Sequence, residues 1–136
     1  MSERGKLLWT EKITVRWGDM DALGHVNNTE YFRYMEQARV SWFDAHGIPM
    51  LLDGCGPVMV RGACNFVRAI TYPAQIAIDM RLARLGDRSV TLYHDLYLDG
   101  DPQTKFADGE IVVVWIDHAR GVSLPLPDVM RSLVQH

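Results

Sequence analysis

Val15-Arg16-Trp17-Gly18-Asp19-Met20-Asp21-Ala22-Leu23-Gly24-His25-Val26-Asn27-Asn28-Thr29-Glu30-Tyr31 joins a stretch that reads as a β-strand to one that reads as an α-helix. The junction holds two aspartates, Asp19 and Asp21, two glycines, Gly18 and Gly24, and two asparagines, Asn27 and Asn28. Loops set on a rigid scaffold carry much of a protein's chemistry. The helix that follows points its positive end and its free backbone N–H groups back at the loop. A carboxylate beside such an electrophilic helix end suits acyl transfer: one group attacks or activates water while the other stabilises an oxyanion.

Working outward, Tyr31, Tyr34, Met35, Ala38, Trp42 and Ala45 recur at helical spacing and predict a helix over 29–46. Asn28 or Thr29 is its N-cap, and Gly47 followed by Pro49 is its stop signal. With Phe32 and Phe43 added, most of the circumference is apolar or aromatic, so the helix is expected to be buried. Residues 7–17 read as a strand before the junction. Four more strand-like runs follow at 58–69, 75–85, 89–98 and 106–118, with turn chemistry at Gly86-Asp87 and Asp99-Gly100-Asp101-Pro102. Residues 128–134 read as a short terminal helix after Pro125 and Pro127. One helix cannot cover both faces of five strands. The economical architecture is α+β, a five-stranded antiparallel sheet wrapped around one long central helix.

Composition bounds the function. A chain of 136 residues is one domain with room for a real core. No run approaches the ~20 apolar residues of a membrane span, and Met1 to Lys6 lack the apolar core of a signal peptide, so a cytoplasmic protein is expected. A net charge of −3 argues against nucleic acid as a partner, though not against an anionic ligand held by local arginines. Cys55 and Cys64 have neither redox-motif nor zinc-cluster spacing and read as small semi-buried residues. No phosphate-binding glycine fingerprint and no serine-nucleophile elbow occurs.

Residue types alone leave the junction open between three readings. Asp19 and Asp21 can be turn-forming aspartates that bond local N–H groups. One of them can be a nucleophile or general base. With His25 they offer three metal ligands, but no second cluster completes a site, and neither metal nor cofactor is expected. Glu36 and Arg39 are spaced for a helical ion pair. Arg61, Arg68, Arg81, Arg84 and Arg88 fall on or beside strands and are singly solvated; together they offer bidentate partners to phosphates, most of all around Arg84 and Arg88.

The stretch from Arg16 to Asn28, followed by Tyr31-Phe32-Arg33-Tyr34-Met35-Glu36-Gln37-Ala38-Arg39, resembles the 4-hydroxybenzoyl-CoA thioesterase family of hotdog-fold proteins. Tyr72-Pro73-Ala74 ahead of a strand and Leu85-Gly86-Asp87-Arg88-Ser89 at the next turn are similar to that family as well. The resemblance covers nearly the whole chain and implies a single hotdog thioesterase domain over 1–136. It implies Asp19 as the catalytic carboxylate, with Asp21 shaping the loop. It implies a backbone N–H of Gly56, and the helix start at Asn28 and Thr29, as donors to the thioester carbonyl. His25, Asn27 and Tyr31 are then substrate-binding residues, and Arg88 and Ser89 meet the nucleotide end of coenzyme A. The substrate is an acyl-CoA or acyl-carrier-protein thioester. The family's site lies between two subunits, and an unpaired sheet edge is a liability in a monomer, so a homodimer or a dimer of dimers is expected.

The chemistry is reasonable on its own terms. A departing thiolate with a conjugate acid near pKa ~8.5 needs little acid assistance, and removing one aimed oxyanion donor typically costs ~3 kcal/mol. Two other classes remain open. An enoyl-CoA hydratase or dehydratase on this fold would use an Asp and a His, for which Asp19 and His25 are the nearby pair. A non-catalytic acyl-CoA or acyl-carrier-protein binding module would have no need of the intact Asp19, Gly24 and Asn28 set.

Overall fold

The computed structural model describes residues 5–135. β1 (Leu7–Thr14) leads through a 3-10 turn (Trp17–Asp19) to α1 (Asn28–Ala45); then come β2 (Cys55–Phe66), β3 (Gln75–Leu85), β4 (Ser89–Leu98), β5 (Asp101–Asp117), β6 (Val122–Leu124) and α2 (Asp128–Gln135). The strands form one antiparallel sheet in the order β1-β3-β4-β5-β2, and β6 pairs with the end of β5. The α+β class and the long helix are as expected. The five-stranded sheet is corrected to six, because the three residues of β6 are too few for a period of two to register. β5 also starts at Asp101, earlier than the expected 106, since Gly100 turns the chain at φ +84° within the β4–β5 connection and the ladder resumes at once.

α1 and the sheet meet because their periods match opposite faces. Tyr31, Tyr34, Met35, Ala38, Trp42 and Phe43 lie on the buried side of the helix. They face alternate residues of the sheet: Ile76, Ile78 and Met80 of β3, Val90, Leu92 and Leu96 of β4, and Ala107, Ile111 and Val113 of β5, all essentially inaccessible. At Gly109 the sheet comes close to the helix. A Cβ there would stand 2.7 Å from Met35 Sδ and 3.0 Å from the Ala63 carbonyl oxygen.

Two features of this frame position the site. First, the ends of α1 are tied to opposite ends of β2. At the helix start, Tyr31 stacks edge-on against Phe66 at 4.9 Å, and the Val26 N–H donates to the Ile70 carbonyl at 2.8 Å. Beyond the helix end, the Met50 carbonyl lies so close over Gly56 that a Cβ there would collide with it. Eighteen helical residues separate these ends by ~27 Å. Second, β2 is a sheet edge, with Met59, Val60, Phe66 and Val67 all exposed. An apolar edge of this kind is a ready template for another strand.

Candidate active site

The junction folds into a closed miniature loop. Met20 and Val26 form an isolated antiparallel bridge. The Asp21 N–H donates to the His25 carbonyl at 3.1 Å, and the Gly24 N–H donates to the Asp21 carbonyl at 3.0 Å. Gly24 closes the turn at φ +84°, a conformation that side chains other than glycine's rarely adopt. Trp17 and Leu23 flank the loop and are 73% and 78% exposed.

The two aspartates have different surroundings. Asp19 is 4% exposed. Its Oδ2 accepts from the Arg16 N–H at 3.0 Å and from the Tyr34 hydroxyl at 2.8 Å, and its Oδ1 accepts from the Arg16 guanidinium at 3.2 Å. Burial pushes its carboxyl up. The Arg16 backbone bond, the Tyr34 hydroxyl and the Arg16 charge outweigh burial, and the net pKa lies below the ordinary 3.8. Tyr34 feels the same pair from the other side: burial first, then the bond to Asp19, raise its phenol well above its ordinary range. Sequence spacing could have found the Arg16–Asp19 pair at i, i+3, but nothing in the sequence announces Tyr34 as the second anchor.

Asp21 is half-buried and sits at the helix entrance. Its Oδ1 accepts the Leu23 N–H at 2.9 Å, and its Oδ2 accepts the Asn27 side-chain N–H at 3.0 Å. The Leu23 bond leads in holding its pKa below the ordinary value; burial opposes it, and Asn27 and the nearby His25 charge add to the lowering. Asn27 is the N-cap of α1, its Oδ1 accepting the Thr29 N–H at 2.9 Å, while its carbonyl takes the Glu30 N–H at 2.9 Å. Among the described residues no acceptor is recorded for the Asn28 N–H. One asparagine thus links the Asp21 carboxylate to a helix start that keeps a donor in reserve.

The other expected site residues scatter. His25 is half-buried and lends its carbonyl to the loop. Tyr31 is 3% exposed and belongs to the core between α1 and Phe66. Among the described residues no three His, Cys, Asp or Glu side chains converge on a point that could hold an ion, so Asp19, Asp21 and His25 do not form the ligand set their spacing offers. Gly56 lies at the far end of α1. The His118 N–H donates to the Gly54 carbonyl, and Gly56 pairs with Ile116 two residues on. Antiparallel ladders alternate, so this register turns the Gly56 N–H toward β5 rather than toward the open edge. The Arg88 guanidinium donates to the Ser123 carbonyl at 2.6 Å and is occupied in fastening the β3–β4 turn to β6.

A sequence profile of the thioesterase-like superfamily matches residues 15–134. The chain belongs to that superfamily. It is a thioester hydrolase, and the hotdog resemblance read from its junction holds. The PA2801 protein of Pseudomonas aeruginosa, assigned as a candidate thioesterase, is 42% identical, with a TM-score of 0.88 over 93% of this chain and 98% of that one. A candidate acyl-CoA thioesterase from Xanthomonas campestris is 40% identical, with a TM-score of 0.76 over 82% and 95% of the two chains. The long-chain acyl-CoA thioesterase FadM of Escherichia coli is 27% identical over 91% of this chain and 95% of its own length.

Beside the helix start the thioesterase has a groove of about 490 Å³. It runs from Thr29 and Phe32 on α1 to Met59 on the β2 edge, and the charged side chains of Glu30, Arg33, Glu36 and Arg39 line the rest of it. Arg39 is 8% exposed, and among the described residues its Nη1 has no hydrogen-bond partner. An unsatisfied buried donor is costly, so this flank of α1 is electrostatically unfinished in a single copy.

Proposed function

We propose that this thioesterase hydrolyses acyl-CoA to the free acid and coenzyme A, with Asp21 rather than Asp19 as the reacting carboxylate. The observation that carries the reading is the Asp21–Asn27–Thr29 chain of bonds, which sets a partly open carboxylate beside the unoccupied Asn28 N–H. Asp19 accepts hydrogen bonds on both oxygens and is almost wholly buried at the floor of a cleft beside Glu30 and Arg33, so its role is to brace the loop through Arg16 and Tyr34. The thioester carbonyl oxygen lies at the Asn28 N–H, where the helix dipole adds to the stabilisation of the oxyanion. Asp21 either takes a proton from water as the new C–O bond forms or attacks the carbonyl itself. In both routes the C–S bond breaks and the thiolate leaves as coenzyme A; in the second the acyl group stays on Asp21 as an anhydride, which water then hydrolyses to release the free acid and restore the carboxylate. The start of the acyl chain rests against Phe32 and Met59, the apolar side of that otherwise charged groove.

The site takes a second copy of the chain to complete. Antiparallel pairing of β2 with its own copy, centred near Arg61, carries the second copy's Gly56 alongside the first copy's Phe66, hence next to Tyr31 and Asn28. That pairing brings together the two ends of α1 that lie ~27 Å apart in one chain. It also covers the exposed Met59 and Val60. With its N–H turned toward β5, Gly56 then closes the wall of the site without supplying a donor.

The test is thiol release across a panel of acyl-CoA chain lengths, with sedimentation to report the assembly. Asp21→Asn is expected to lower kcat by roughly 10²–10⁴-fold while leaving a folded dimer. Full activity in Asp21→Asn would overturn the assignment, and absence of thiol release from every acyl-CoA would overturn the reaction.

A further inference from the structure

The flank of α1 that faces the β2 edge carries charges that one copy of the chain leaves unmatched. Thr29, Phe32, Glu36 and Arg39 follow one another at spacings that alternate between three and four, so they share one stripe of the helix. All four line the groove that Met59 of β2 bounds on the other side. A Cβ on Gly62 would stand 3.3 Å from the Phe32 ring, which sets the stripe over the inner face of β2. Among the described residues Glu36 pairs with Arg33, at 3.7 Å and largely exposed, rather than with Arg39 as their spacing offers. A pair so exposed has little weight. Arg39 is in the opposite position: it is buried, and its Nη1 has no partner among the described residues. The core beneath supplies no anion either. His94, which pairs with Gly109 under the helix, is wholly buried with Nε2 unpartnered, and burial and then the Arg39 charge keep it neutral.

We propose that Glu36 of a second copy of this chain completes Arg39, and the second copy's Arg39 completes Glu36, so that reciprocal ion pairs join the two α1 helices. The inference rests on the pairing of β2 with its own copy and adds a second row of contacts to it. The axis of that pairing passes near Arg61, midway between Gly56 and Phe66, and the middle of α1 falls between Glu36 and Gln37. The ends of α1 are tied to the ends of the same span of β2, so the axis passes beside the helix middle. There Glu36 of one copy comes opposite Arg39 of the other. Met35 stands over Gly109 of β5, the neighbour of β2, which sets α1 about one strand in from the edge. At ~4.8 Å between strands, β5 lies ~7 Å from the axis and the two helices ~14 Å apart. That is wider than the roughly 8–10 Å of close helix packing, and it is a gap that two long charged side chains reaching from opposite sides can close. Because the stripe carries one acid and one base, its own image matches both charges at once, and the idle Nη1 gains a charge-assisted bond. Desolvation adds little on the arginine side, since Arg39 is already buried in the single copy. The pairs stand one helical turn beyond Phe32, between the two grooves, and fasten the assembly that completes each site.

The experiment is sedimentation of the full chain over a range of concentrations, on wild type, on E36Q, E36R and R39E, and on an equimolar mixture of the last two. E36Q alters an exposed side chain of the single copy and is expected to raise the dimer dissociation constant at least about tenfold. E36R sets arginine against arginine across the axis and should be monomeric where wild type is dimeric. Mixing it with R39E should restore a dimer made of one chain of each kind, because every arginine then meets a glutamate of the other chain. Pairing within one helix cannot give that rescue. An unchanged dissociation constant in E36Q would overturn the proposal, as would a folded R39E that fails to rescue E36R. If circular dichroism shows R39E unfolded, E36Q decides alone. Thiol release from acyl-CoA on the same samples keeps the readings apart. A wild type that is active as a monomer would overturn the two-copy site and this contact together while leaving the reaction standing. A dimer indifferent to E36Q would overturn this contact alone, and a dimer without thiol release would reject the reaction while sedimentation still decides the contact.

Discussion

Exchanging the two junction aspartates for neutral residues separates bracing from chemistry. Asp19 receives three donors, one of them from the buried Tyr34 and one from the Arg16 main chain. In Asp19→Ala those two lose their acceptor. At about 1–3 kcal/mol for each stranded group, and well under 1 kcal/mol for the exposed Arg16 guanidinium, the loss is about 3–5 kcal/mol. For a domain of this size, 1 kcal/mol moves Tm by about 3–4 °C, so Asp19→Ala is expected to melt roughly 10–20 °C below wild type. Asp19→Asn keeps one oxygen for Tyr34 and the Arg16 N–H, weakens both by removing the charge, and should cost about 1–2 kcal/mol. Asp21→Asn breaks nothing buried and should melt within a few degrees of wild type while losing activity. The assay is paired: melting by circular dichroism and thiol release on the same samples, below the melting range of the weakest variant. An Asp19→Asn protein with wild-type Tm and no activity, beside an active Asp21→Asn, would refute the division of roles.

Asn27→Ala should lose about 1 kcal/mol of stability through the N-cap and at least tenfold in kcat through the freed Asp21 side chain; urea unfolding and initial rates measure the two. Gly109→Ala forces a methyl against Met35 Sδ and the Ala63 carbonyl, and should cost about 1–3 kcal/mol in urea unfolding. Acid lability has identifiable sources. Burial and then the Arg39 charge push the His94 imidazole down to about 3 from 6.5, so the unfolded chain binds the proton first. Its contribution to stability is whole above about pH 6.5 and is lost as pH falls toward 3. Asp19 and Asp21, whose folded pKa values lie below 3.8, add a loss that begins only near pH 4. His94→Leu should therefore flatten the stability profile between pH 6.5 and 4 while leaving the steeper fall below it; chemical denaturation at a series of pH values reads both segments.

The helix and the five main strand runs are legible in the chain because each rests on local information. A period of 3.6 residues in α1, alternation in β3 and a Gly–Pro stop after Ala45 need no distant partner to be read. The fold class follows, since one apolar helix beside several strands has few ways to bury itself. Other features depended on residues far apart in sequence. β6 exists because β5 runs on past the end of β4 and offers it an edge. Tyr34 singles out Asp19 only after the chain has turned through the junction and into the helix. The direction of the Gly56 N–H is a matter of ladder parity, which composition does not encode.

By itself, the sequence determined that an acidic loop meets a helix start and that the helix is sheathed by strands, because spacing and residue type specify both. Which aspartate stays open and which way the Gly56 N–H points were decided by tertiary structure alone. Each depends on strand register and on hydrogen bonds closed through space, and two residues of the same type at near-identical local settings are told apart only by what the rest of the fold brings against them.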